Sequence, residues 1–136
     1  MKKVSGTSKA IVRLEETQIA IADITQKGSL EVFRTVLSSA DPDWNNAPFF
    51  YIRYDEPTKE WSRKGYGVIT HPGGDQTFIK FEARQLSAAG SASTGEWEGF
   101  FIGGTGKFKD IKARWLLKWK FTTTEGTTTE WKVEYF

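Results

Sequence analysis

Residues 111–135 read IKARWLLKWKFTTTEGTTTEWKVEY, and their alternation decides the fold. From Ile111 to Phe121 the odd positions carry Ile, Ala, Trp, Leu, Trp and Phe, and the even ones Lys, Arg, Leu, Lys and Lys, a period of two broken once at Leu116. Trp131, Val133 and Tyr135 alternate with Glu130, Lys132 and Glu134 in the same way. Two such strands share one apolar face when an odd number of residues joins them, because a slip of one residue turns every side chain over. Thr124, Glu125 and Gly126 meet that demand, with Gly126 free to take the left-handed conformation that closes a three-residue hairpin. The expected pairs are Trp119 with Trp131, Leu117 with Val133, Trp115 with Tyr135, and Lys120 with Glu130. Trp119 and Trp131 on opposite faces would refute the hairpin.

Upstream, PGGD at 72–75 is a second hairpin signal, between strands at 63–71 and 76–84. A four-residue loop pairs His71 with Gln76, puts Tyr66, Val68 and Thr70 on a face with Thr77, Ile79 and Phe81, and leaves Gly65, Gly67 and Ile69 facing Phe78, Lys80 and Glu82. Residues 49–54 and 95–102 also read as strands, as does the stretch around Ile19 and Ile21. Lys27, Gly28 and Ser29 read as a break. Residues 30–38 fit either element, and their β-branched content favours a strand. Residues 38–48, with Pro42 and Pro48, form the longest irregular stretch, placed to cover one end of the fold. Residues 86–94 are small and polar and read as a loop. About eight short strands with turn signals between them indicate an all-β sandwich or barrel. A closed antiparallel barrel of about eight strands with hairpin connections is preferred, as one domain over residues 1–136, because closure removes aggregation-prone edges.

Composition narrows the chemistry. The 136 residues include 10 Phe, 6 Trp, 4 Tyr and 13 Gly, but no Cys and one His. That excludes a thiolate nucleophile, a Cys/His zinc site and a multi-histidine metal centre, and no cofactor is expected. A formal charge of +2 is too small for a broad nucleic-acid-binding face. No apolar run is long enough to cross a membrane as a helix, and the first residues lack the apolar core of a signal peptide, so a cytoplasmic location is expected.

Two segments, KGYGVITHPGGDQTFIKFE (64–82) and GEWEGFFIGGTGKFKDI (95–111), resemble the small eight-stranded barrels of the allene oxide cyclase type. In those proteins a Gly-Asp turn precedes one strand, and a GGTG segment followed by Lys or Arg and Phe turns the chain into the next. The resemblance covers about a third of the chain and consists of turn motifs, so it implies a fold more than an activity. The group includes cyclases, dirigent-like barrels that guide reactive intermediates in an apolar cavity, and many bacterial proteins without an assigned role. This chain departs from it at Ala113, Arg114, Trp115 and Trp119, where relatives tend to glycine, and lacks a counterpart of the cyclase's Asn, Pro and Ser pocket residues. No catalytic residue is carried over.

Other motifs weaken on inspection. GGTGK at 103–107 lacks the Gly and Ser or Thr spacing of a phosphate loop, and reads as a turn. DPDWNN at 41–46 has Asn46 where a calcium loop needs Gly, and Ile52 where it needs Glu. His71 is the sole candidate for a histidine base, and its place beside a turn suits a structural role better. Residues 107–120 mix six basic residues with aromatics, but alternation puts the Trp and basic side chains on opposite faces, against a single-strand binding platform.

What remains is an aromatic interior. Barrels of about eight strands are either filled by side chains or hold one small ligand. The expected site is a cavity lined by Trp97, Trp115 and Trp119, with Arg53, Glu82 or Glu98 orienting a small hydrophobic or aromatic molecule. A cyclase or isomerase is the alternative, requiring Glu82 or Glu98 inside with a raised pKa. A third reading is a homo-oligomer joined by exposed aromatics such as Phe100 and Trp61.

Overall fold

The computed structural model describes residues 2–20, 27–55, 62–89, 92–124 and 126–136. Eight strands follow in order: β1 (Lys3–Ala20), β2 (Lys27–Ser39), β3 (Ala47–Asp55), β4 (Ser62–Thr70), β5 (Gln76–Ala89), β6 (Ala92–Gly104), β7 (Ala113–Thr122) and β8 (Gly126–Tyr135). Each pairs antiparallel with the next, and β8 returns to β1 through pairs from Lys3↔Glu134 to Ser8↔Thr129, closing the barrel. Every described strand therefore has a partner on both sides. A 3-10 turn, Gly106–Phe108, bridges β6 and β7.

Closure carries strand structure further than composition suggests. Lys27, Gly28 and Ser29 belong to β2, opposite Ala20, Ile19 and Gln18. The stretch expected to loop at 86–94 is instead the end of β5 and the start of β6, with Ala89 opposite Ala92. Small and polar residues are weak strand formers alone, but here the neighbouring strands supply the ladder. Ile21 and Trp61 lie outside the described residues.

The hairpins keep their turns and shift their registers. In β7–β8 the pairs are Trp119↔Thr129, Leu117↔Trp131, Trp115↔Val133 and Lys118↔Glu130, two residues from the expected register. A shift of two preserves parity, so the Trp side chains remain on one face, and Gly126, with a φ of 71°, opens β8 opposite Thr122. In β4–β5 the shift is one, with Thr70 rather than His71 opposite Gln76. That turns β4 over relative to β5: Gly65, Gly67, Ile69 and His71, rather than Tyr66, Val68 and Thr70, point in with Thr77, Ile79 and Phe81, while Tyr66, Val68, Lys80 and Glu82 point out. The cause is a five-residue turn, closed by His71 N–H donating to the Asp75 carbonyl at 2.7 Å and built on positive φ at Gly73 and Gly74. It turns the His71 ring inward, where Nε2 lies 2.9 Å from Thr77 Oγ1.

Inward glycines make room for the rings. Added side-chain carbons at Gly6, Gly65, Gly67 and Gly95 would collide with Trp131, Phe81, Phe49 and Trp119 respectively. Small residues opposite large ones are how a narrow barrel accommodates indoles at native packing density.

Candidate functional site

The two ends of the barrel differ. At one end the 40–46 loop folds over the opening and buries Trp44 completely. Its backbone is held by Asp43 N–H donating to Asp41 Oδ1 at 2.9 Å and Ser39 N–H donating to Asn45 Oδ1 at 3.1 Å. Beneath it the rings are continuous: Trp44 to Trp131 at 5.9 Å, Trp131 stacked on Trp115 at 5.5 Å, and Trp115 edge-to-face with Phe49 at 5.5 Å. His71 belongs to this plug, stacked on Phe108 at 4.0 Å, with Nδ1 2.9 Å from the Asp43 carbonyl. Burial lowers its pKa against the opposing pull of that carbonyl. The GGTG turn latches the same end, where Thr105 exchanges hydrogen bonds with the Gln76 backbone at 2.8 and 2.9 Å.

The other half is hollow. A cavity of about 330 Å³ is walled by Phe33, Phe49, Tyr51, Trp97, Leu117 and Trp119, with Ile11 and Phe121 nearby and hydroxyls from Ser8, Thr35, Ser93, Thr127 and Thr129. Strand alternation delivers these inward, helped in β1 by the irregularity between Lys9 and Val12 that lets Ser8 and Ile11 share a face, and Trp97 stacks on Phe81 (4.1 Å) and Phe33 on Tyr51 (5.0 Å). Burial pushes the Tyr51 phenol up, so it stays neutral. Ser8 and Thr129 hydrogen-bond to each other across β1 and β8.

Charge enters the cavity through Arg53, whose guanidinium lies 4.7 Å from the centre of the Phe33 ring. Its Nη2 is 3.2 Å from Glu31 Oε1, which also accepts from Arg63 at 3.3 Å, while Arg13 approaches Glu31 Oε2 at 3.5 Å. Glu31 itself is buried. The cluster joins β1, β2, β3 and β4 beside the hollow half and gives its apolar wall one polar corner.

Of the residues named from sequence, Arg53, Trp97 and Trp119 line this cavity. Trp115 faces inward but lies within the filled half. Glu82 and Glu98 do not reach the interior: they stand on the outer wall, with side chains 70% and 56% exposed. In both cases the cause is strand parity: β5 turns Ile79 and Phe81 inward and Glu82 out, and β6 turns Trp97 and Gly99 inward and Glu98 out. Glu31, Arg63, Tyr51 and the hydroxyl ring escaped the sequence reading. Glu31 carried a signal, since it shares parity with Phe33 and Leu37 in β2.

A larger concavity, about 520 Å³, lies outside over β6, β7, β8 and β1. Glu96, Glu98, Lys118, Glu130 and Lys132 surround Leu116 there, so charged side chains rather than aromatic rings form its rim. Among the described residues no group of His, Cys, Asp or Glu is arranged to hold a metal, and no helix is long and apolar enough to cross a membrane. No family model, curated protein or solved structure matches this chain.

Proposed function

We propose that the protein binds a small hydrophobic or aromatic molecule in the hollow half of the barrel. The observation that carries this reading is the coexistence of a filled, capped half and an unfilled half of about 330 Å³ in one interior. A cleft of that size, walled by rings and given one polar corner by Arg53, is the usual form of a small-molecule site. Rings held by stacking offer a preorganised surface, so a flat ligand meets little ordering cost on entry.

The cyclase or isomerase reading has less support. It asks for a carboxylate at the ligand, and both candidates, Glu82 and Glu98, point to solvent. Glu31 is the buried carboxylate beside the cavity among the described residues, and three guanidiniums contact it. The resemblance to allene oxide cyclase-type barrels remains a proposal about ancestry, and it supplies no residue for the chemistry.

Titration with 2-naphthol, read by tryptophan fluorescence and thermal melting, tests the binding reading. Trp97 and Trp119 emission is expected to change saturably and the melting temperature to rise. Ser93→Trp, which fills the cavity, is expected to abolish both responses, whereas Glu98→Gln leaves them intact. Absence of saturable binding by 2-naphthol, indole and decanol would exclude the site, as would full binding by a folded Ser93→Trp variant.

A further inference from the structure

The outer wall of the barrel is uneven. Over β6, β7 and β8 charged outward positions pair, as in Arg114 with Glu134 at 3.2 Å and Lys132 with Glu134 at 3.7 Å. Over β3 to β6 a group of outward positions is apolar. Phe50, Ile52 and Tyr66 are 39%, 38% and 41% exposed, and Phe100 and Ile102 are 51% and 59% exposed, with Val68 half-buried among them. Register makes the patch contiguous: Phe50 is opposite Val68, Ile52 opposite Tyr66, and Lys80 lies between Tyr66 and Phe100.

We infer that this face joins the protein to a second copy of itself. With aromatic side chains burying about 150–250 Å² each, exposures of this size sum to roughly 400 Å². A stable interface buries about 800 Å² on each partner, so the patch supplies an apolar centre and leaves area for a polar rim. That rim carries both signs. Arg34 flanks Phe50 and Lys80 sits at the height of Tyr66, while Glu82 and Glu98 face each other one row below. A two-fold axis brings the cations of one copy toward the acids of the other, which makes the face its own complement. An anionic lipid surface would instead be met by a rim of one sign. A bilayer-spanning barrel requires an apolar belt on all sides, and Glu96, Lys118, Glu130 and Lys132 interrupt it. The inference is independent of the cavity.

Sedimentation equilibrium of the full chain is expected to show a dimer, and Phe100→Glu/Ile102→Glu to weaken it by about 30-fold or more, the effect of losing interface anchors. Lys118→Glu, on the charged wall, leaves association unchanged. Because the chain has no cysteine, a label at Ile102→Cys gives a second measurement that needs no disruptive change. Its accessibility to a soluble quencher falls as protein concentration rises, and that of a label at Lys118→Cys does not. A wild-type chain that stays monomeric throughout overturns the inference. So does a dimer that survives the double variant, or one that buries Lys118→Cys instead of Ile102→Cys. Monomeric protein that sediments with phosphatidylcholine–phosphatidylglycerol vesicles through this face overturns it in favour of lipid.

Discussion

Glu31 accepts from Arg53 and Arg63 on one oxygen and meets Arg13 on the other, so its charge keeps three guanidiniums together beside the cavity. Removing the charge while keeping the shape leaves like charges crowded in a poorly solvated place. Glu31→Gln is expected to cost about 3 kcal/mol, the low end for breaking a buried ion pair, whereas Arg13→Ala, at a half-exposed side chain, costs about 1 kcal/mol or less. Urea unfolding distinguishes the two. His71 makes stability depend on pH. Its folded-state pKa is lowered, chiefly by burial, so the native state binds fewer protons than the unfolded chain as pH drops below the free value of about 6.5. The contribution is complete above that pH and is lost as pH falls toward the lowered value. His71→Gln is expected to be less stable overall but flatter between about pH 7 and about pH 5; equal slopes for variant and wild type would contradict this. At Gly65 a methyl group meets the Ile52 carbonyl and the Phe81 ring. Gly65→Ala is accordingly expected to cost about 1–3 kcal/mol by overpacking, seen as a lower melting temperature.

At the level of strands, turn chemistry and alternation were legible, and register was not. Gly126 was readable as the left-handed residue of the β7–β8 hairpin because no other residue in 122–129 tolerates that conformation cheaply. Gly126→Val is expected to destabilise by about 1–2 kcal/mol, although its side chain would meet open space; an unchanged urea midpoint would show the turn relaxing. The two-residue error in pairing arose because 122–124 and 127–129 are all threonine, so neither sequence nor parity distinguishes one odd loop from its neighbour. In β4–β5 the ambiguity lay in His71. Counting it as strand gives a four-residue loop, and counting it as turn gives five. The decision belongs to Thr77 and the Asp43 carbonyl, which hold both ring nitrogens. That single residue determined which face of β4 is inside, Tyr66 and Val68 or Gly65, Gly67 and Ile69.

Across the whole molecule, the division of the interior has a measurable consequence. Trp115 sits fully buried among Phe49, Phe101 and Trp131, where its removal leaves a void. Trp119 lines a space that is already open. Trp115→Ala is expected to cost about 3–5 kcal/mol, the usual range for a buried indole, and Trp119→Ala to cost markedly less while impairing 2-naphthol binding. Equal destabilisation by the two would mean that the cavity collapses in solution.

The sequence by itself determined an all-β chain, its principal turns, the aromatic composition of the interior and the chemistries absent from it. These follow from periodicity, from glycine's backbone freedom and from which side chains exist at all, and each acts over a few neighbouring residues. The tertiary structure decided which face of each strand is inside, where filling stops and the cavity begins, and that Glu31, rather than Glu82 or Glu98, accompanies Arg53. Those outcomes depend on closure. Eight pairings must add up to one consistent stagger, and strands far apart in sequence must share the space their rings occupy, so no single segment contains the answer.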